Sequence, residues 1–208
     1  MLRLFGVDSN INLENTDNRE LRSTTPPSGG WGAGDASDII KASIRNIPDF
    51  PIPGIQFKDI TTALKNPEIL KLMTDTLYEY YKNKGITKVV GVESRGFVIG
   101  SILAYKLNAG FVLLRKPGKL PAETFSLKYE LEYGVDGLEI HKDAIEPDDV
   151  ILLHDDLLAT GGSANASLQL LRKFGDNPIY VSFLIELLEL EGITRLDEAM
   201  DVYSLVQF

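Results

Sequence analysis

Two adjacent carboxylates, Asp155 and Asp156, follow the apolar run Val-Ile-Leu-Leu-His and precede Leu-Leu-Ala-Thr-Gly-Gly-Ser. Carboxylate oxygens accept hydrogen bonds from sugar hydroxyls. The next stretch suits an anion. From Ala159 onward, Gly161 and Gly162 let backbone N–H groups approach closely, and Thr160 and Ser163 add hydroxyl donors. A helix predicted from about Ala164 points its positive N-terminus at the same place. Acids beside a phosphate cradle fit a ligand with both sugar hydroxyls and phosphate, a phosphorylated ribose.

These side chains need a scaffold that gathers them. Near-continuous apolar segments at 88–92, 111–115, 149–154 and 179–185 alternate with helical patterns at 97–108 and 163–174. Such alternation predicts an α/β fold, a central parallel sheet flanked by helices on both faces. Ligands of these sheets sit beyond the carboxyl ends of the strands. That rule brings together the turn at 93–96, the basic group Arg115, Lys116 and Lys119, the stretch 155–163, and Glu186 with Leu187. Upstream, Asp38 is the expected N-cap of a short helix through Ile44. Pro48, Pro51 and Pro53 impose an extended segment ending at Gly54. Asn66-Pro67 opens a helix to about Lys84 with Gly85 past its end. Residues 116–142, partly alternating from Phe125 to Ile140, predict a mobile hairpin.

The chain has 208 residues, enough for one domain with a sizeable core. Its net charge of −9 argues against a nucleic-acid partner, which requires a basic face. Cysteine is absent and only two histidines occur, which excludes disulfides, thiolate zinc sites and a His-built metal centre. No apolar run approaches the roughly 18 residues of a membrane span. The start of the chain lacks a signal-peptide layout, so the expected location is cytoplasmic. Residues 1–37 are polar and rich in Gly and Pro, and are expected to be a disordered extension before a domain at 38–208. A short edge strand at 2–7 and a loosely placed Trp31 are expected within it.

The segment 150–163 resembles the phosphoribosyl-diphosphate signature of type I phosphoribosyltransferases. Several flanks are similar to its adenine-specific members: Phe-Pro-Ile-Pro-Gly-Ile-Gln-Phe-Lys-Asp-Ile at 50–60, Gly-Val-Glu-Ser-Arg-Gly-Phe at 91–97, Arg-Lys-Pro-Gly-Lys-Leu-Pro at 115–121 and Leu-Glu-Tyr-Gly at 131–134. The resemblance covers roughly residues 40–208. It implies transfer of a phosphoribosyl group from phosphoribosyl diphosphate to adenine, with magnesium held by the donor's oxygens, in a homodimer. Asp155 and Asp156 would hold the ribose hydroxyls, reaching the metal only through water. Ala159, Thr160, Gly161, Gly162 and Ser163 would cradle the 5′-phosphate. Glu93, Ser94 and Arg95 would wrap the diphosphate together with Arg115, Lys116 and Lys119, some of these lent by a neighbouring subunit.

By the same resemblance, residues 38–65 form a hood over the base. Ile55, Gln56, Phe57 and Lys58 would meet adenine there, with Phe57 stacking and Leu187 on the opposite ring face. Lys58 stands where relatives often carry Arg, which is not an equivalent group. Residues 116–142 would be a flexible lid. On it, Glu132 would act near adenine N7 or the ribosyl cation, with Arg95 as the other catalytic group, and Tyr133 would fix the closed lid. His154 reads as a structural strand-end histidine, Glu123 and Glu130 as solvent-facing, and Glu186 as either a site-orienting group or a strand cap. Two alternatives are a different base acceptor, such as hypoxanthine, xanthine or orotate, and a non-catalytic sensor of phosphoribosyl diphosphate. The apolar Ile55, Phe57 and Leu187 speak against the first, and the acidic extension speaks against the DNA-binding domain usual in the second.

Overall fold

The apolar runs become strands of one parallel sheet. A computed structural model describes residues 33–131, 134–198 and 200–208. In chain order the elements are α1 (Ala33–Ser43), β1 (Arg45–Pro48), β2 (Gln56–Asp59), α2 (Thr61–Leu64), α3 (Pro67–Tyr81), β3 (Lys88–Val92), α4 (Gly96–Leu107) and β4 (Gly110–Leu114). Then come β5 (Thr124–Leu131), β6 (Gly134–His141), β7 (Ile151–Leu158), α5 (Gly162–Leu171), β8 (Ile179–Glu186) and β9 (Val202–Gln207). Short 3₁₀ turns at Leu188–Leu190 and Gly192–Arg195 link the last two strands.

The main sheet has the order β4-β3-β7-β8-β9, all parallel. Its two faces are buried by different partners. Val90, Leu153, Val181 and Phe183 pack with α5 and the β6 residues Leu138 and Ile140. Val89, Leu152, Leu184 and Val206 pack with Ile40, Leu77 and Leu103 from α1, α3 and α4. Double-sided burial is why these strands read as continuous apolar runs without alternation.

Several elements differ from the sequence expectation. Helix α1 begins at Ala33, so Asp38 lies inside it and does not cap it, and the folded unit starts before residue 38. Ala36 and Ile40, one turn apart, are 3% and 1% exposed, and their burial outweighs the capping preference. Residues 1–32, including the expected strand at 2–7 and Trp31, lie outside the described residues. The hood contains the hairpin β1–β2, closed by an ion pair from Arg45 to Asp59. Asn66 caps α3 as expected, accepting from the N–H groups of Glu68 and Ile69.

The excursion 116–142 is not a detached flap. Strands β5 and β6 form an antiparallel hairpin whose inner face buries Leu138 and Ile140, 1% and 0% exposed, against the core. The alternation that predicts the hairpin thus also anchors its stem. Strand β9 has no counterpart in the sequence reading. Its run Val-Tyr-Ser-Leu-Val-Gln is short, but Leu205 and Val206 are buried against α1 and the sheet.

Candidate active site

Strand β7 runs four residues further than its apolar segment suggests, through both acids to Leu158. The reason is its neighbours. Pairing with β3 stops at Gly91–His154, whereas pairing with β8 continues to Leu158–Glu186. Beyond His154 the strand is therefore open on one side, and there the chain after β3 turns away through Glu93 to Arg95. Asp155 and Asp156 stand at this opening. Gly96 is required on the opposite wall, because a Cβ there would lie 2.8 Å from the His154 carbonyl.

The opening leads into a cavity of about 270 Å³ lined by residues 92–95, Lys116, Tyr129, Leu138 and residues 155–164. Asp156 is 4% exposed and its Oδ2 meets Arg95 Nε at 2.9 Å. The same guanidinium lies 5.4 Å from the centre of the Phe57 ring, so Arg95 spans from the acid pair to strand β2. Asp155 turns an oxygen onto the Asp156 N–H, 2.8 Å away. Burial, then the neighbouring Asp156 charge, pushes the Asp155 carboxyl well above the usual range. Burial raises Asp156 as well, although Arg95 pulls the other way. Two buried acids side by side that share one guanidinium, Arg95, call for further hydrogen-bond donors or a cation.

The loop after β7 turns at Gly161, with φ of +79°, into α5. Gly192 supports it from behind: a Cβ on Gly192 would lie 2.0 Å from the Ala159 oxygen, and one on Gly161 would lie 2.4 Å from the Gly192 oxygen. The N-terminus of α5 opens into the cavity, as an anion site requires. Nothing in the sequence marks Gly192; only the backbone approach reveals it.

The remaining expected residues divide. Ser94, Arg95 and Lys116 line the cavity with residues 155–163. Glu93 also lines it, but its carboxylate is committed to Arg115, at 3.0 and 3.2 Å, and to the Lys116 N–H at 2.7 Å. Those bonds, Arg115 foremost, hold the Glu93 carboxyl below the usual range against the effect of burial. Glu93 is thus placed to aim the basic segment more than to touch an anion. Arg115 also donates to the Lys119 carbonyl, and Lys119 is exposed at the rim.

Ile55, Gln56, Phe57, Lys58 and Leu187 do not line this cavity. Gln56 and Lys58 are both tied to Asn46, and Lys58 lies over the Phe208 ring at 4.2 Å. Phe57 packs edge-on against Phe50. Glu132 and Tyr133 lie outside the described residues, as does the side chain of Glu130. Glu123 pairs with Lys142 at the surface. Glu186, the last residue of β8, accepts from Gln207 of the neighbouring β9. His154 is fully buried against Ser182, and burial lowers it to about 4, so it is a neutral core residue. Tyr129 lines the cavity and meets Asp136 across the hairpin, neither with an expectation attached. The period-2 pattern of β5 and β6, extended to cross-strand partners, is the signal that pairs them.

Comparison with known proteins agrees with this geometry. A phosphoribosyl transferase domain matches residues 59–186. The adenine phosphoribosyltransferase of Phocaeicola vulgatus is 56% identical over 171 residues, covering 82% of this chain and 98% of its own. That of Halothermothrix orenii is 52% identical, covering 81% and 98%. The crystal structure of adenine phosphoribosyltransferase from Rhodothermus marinus superposes with a TM-score of 0.79 at 50% identity, over 84% of this chain and 99% of that one. The Giardia lamblia enzyme complexed with 9-deazaadenine gives 0.78 at 39% identity, over 86% and 99%. With a parallel sheet that ends in an acid pair and a Gly-rich loop, and with relatives this similar over most of its length, the chain belongs to the adenine phosphoribosyltransferases.

Proposed function

We infer that this chain transfers the 5-phosphoribosyl group of phosphoribosyl diphosphate to adenine, giving AMP and diphosphate. The carrying observation is the Asp155–Asp156 pair, joined to Arg95 and facing the loop 159–163 within one cavity. The ribose hydroxyls donate to the two carboxylates, and the loop N–H groups take the 5′-phosphate. Ser94, Arg95 and Lys116 meet the diphosphate, with Arg115 and Lys119 at the rim. Phe57 and Ile55 supply one wall for the base and Leu187 the other. As the bond from C1′ to diphosphate breaks, adenine N9 forms the new bond and gives up its proton. By the family resemblance, Glu132 acts near the developing ribosyl cation and Tyr133 serves closure of the lid.

Positioning and charge carry such a reaction. Closure of the lid beyond its core-anchored stem excludes the water that would otherwise capture the cation. Magnesium bound to the donor supplies countercharge for the leaving diphosphate. Asp155 and Asp156 would fit it as hard-oxygen partners through water, since two buried carboxylates share the Arg95 charge between them. The test is turnover: AMP should form from adenine, phosphoribosyl diphosphate and magnesium, and no IMP or XMP should form when hypoxanthine or xanthine replaces adenine. No product with adenine overturns the reading.

The working unit we propose is a homodimer in the cytoplasm, without a nucleic-acid partner. Among the described residues no helix is long and apolar enough to cross a membrane. Val98 and Tyr105, two turns apart on α4, are 42% and 86% exposed, and Leu113 of the edge strand β4, which packs with α4, is 38% exposed. A second copy would cover this apolar row and bring its basic segment near the first cavity. Sedimentation should return twice the chain mass of 23.0 kDa, and Tyr105→Glu should shift it toward the monomer. A wild-type monomer at assay concentration refutes the dimer.

A further inference from the structure

The hairpin stem reaches into the cavity through a residue for which the reaction outlined above has no use. Tyr129 on β5 is half-buried and lines the cavity, and its hydroxyl lies 3.1 Å from Ser163 Oγ in the phosphate loop. Directly across the hairpin, Asp136 accepts from the same hydroxyl over a longer 3.4 Å. Asp136 also receives Lys116 Nζ and the Gly137 N–H. One chain of polar contacts thus runs from the basic segment after β4, through both hairpin strands, to the loop expected to hold the 5′-phosphate.

A phenol carries one proton and a serine hydroxyl carries one. If Ser163 gives its proton to Tyr129, that proton is lost to an incoming phosphate. If Tyr129 gives its proton to Ser163 Oγ, the serine proton is free to point at the phosphate. Asp136 is already supplied by Lys116 and Gly137 and sits further away, so the shorter contact to Ser163 wins once an anion demands the serine proton.

Resting on the reading of 159–163 as a 5′-phosphate loop, we propose that Tyr129 is a positioning residue for the 5′-phosphate. It donates to Ser163 Oγ, turns the Ser163 proton toward the phosphate, and fastens the hairpin stem to the loop. The partner class is a phosphomonoester on a sugar; the diphosphate end does not need this contact.

Tyr129→Phe keeps the ring and removes only the hydroxyl. Loss of one hydrogen bond of ordinary strength should raise KM for phosphoribosyl diphosphate, and the calorimetric Kd for ribose 5-phosphate, about three- to tenfold. The kcat, the KM for adenine and the affinity for inorganic diphosphate should stay near wild type. Ser163→Ala should weaken ribose 5-phosphate binding too, and adding Tyr129→Phe to it should cost nothing more, because Tyr129 acts through Ser163. Unchanged ribose 5-phosphate affinity in Tyr129→Phe, equal weakening toward diphosphate, or full additivity in the double variant would each overturn the proposal. Failure of wild type to form AMP is a different outcome and strikes the transferase reading itself.

Discussion

A chain carrying both Asp155→Asn and Asp156→Asn is expected to lose about 10²–10⁴ in kcat/KM for phosphoribosyl diphosphate, the worth of two charge-assisted hydrogen-bond sites. The same chain should be more stable than wild type at neutral pH. Both acids are buried at the open end of β7, and their carboxyls are pushed above the usual range, Asp155 the further. A carboxyl raised in this way binds its proton more tightly in the folded state than in the unfolded one. Stability therefore falls as pH rises from the unfolded value, about 3.9, through the folded value, and stays reduced above it. Asparagine has no charge to bury and escapes that fall. Arg95 loses its partner, but its side chain is 40% exposed and water replaces the contact at small cost.

The measurement is thermal unfolding against pH, beside steady-state kinetics. Relative to the double variant, wild type should lose Tm as pH rises from 4 toward neutrality, each kcal/mol moving Tm by about 2–4 °C in a domain of this size. A Tm difference that does not change with pH would refute the stored repulsion. Unchanged affinity for phosphoribosyl diphosphate would refute the ribose assignment. Linkage gives a companion sign. Ribose hydroxyls favour the ionised acids, so binding ribose 5-phosphate should release protons and tighten with rising pH across the same window. Calorimetry in buffers of different ionisation enthalpy reads that release directly.

The sequence announces the parts that depend on local chemistry. Asn66-Pro67 starts α3, the apolar runs become β3, β7 and β8, and the acid pair with its Gly-rich loop lines one cavity with Arg95. What it conceals depends on partners distant in the chain. Asp155 and Asp156 sit within β7 and not after it, because β8 extends far enough to keep the ladder going. Helix α1 starts early because Ala36 and Ile40 find a surface made by α3 and β9. Glu93 looks like a site acid until Arg115, 22 residues on, claims it. The hood residues 55–58 are legible as a base slot by resemblance, yet Gln56 and Lys58 turn their side chains to Asn46, leaving the ring of Phe57 beside Arg95. Periodicity reports burial along one element and carries no information on which side chain from elsewhere arrives to meet it.

Gly192 is the sharpest case of that limit, and replacing it should be among the most damaging single changes outside the cavity. A methyl on Gly192 would stand 2.0 Å from the Ala159 oxygen and 2.9 Å from the Gly161 nitrogen, both backbone atoms of the loop proposed to hold the 5′-phosphate. Neither can rotate out of the way as a side chain could, so Gly192→Ala must displace the loop. Gly161 cannot yield locally, since its own φ of +79° and its approach to the Gly192 oxygen fix it from the other side. Overpacking of this kind costs about 1–3 kcal/mol, which a domain with a typical 5–15 kcal/mol of stability survives. The loop shift has the larger consequence: about 1 Å of misplacement at a binding constellation lowers the rate roughly 10²-fold. Gly192→Ala is thus expected to remain folded while losing about two orders of magnitude in kcat/KM for phosphoribosyl diphosphate, with weakened ribose 5-phosphate binding and little change in diphosphate affinity. A folded Gly192→Ala chain with near wild-type kinetics would show that the loop tolerates the shift, and that its shape is not set from behind.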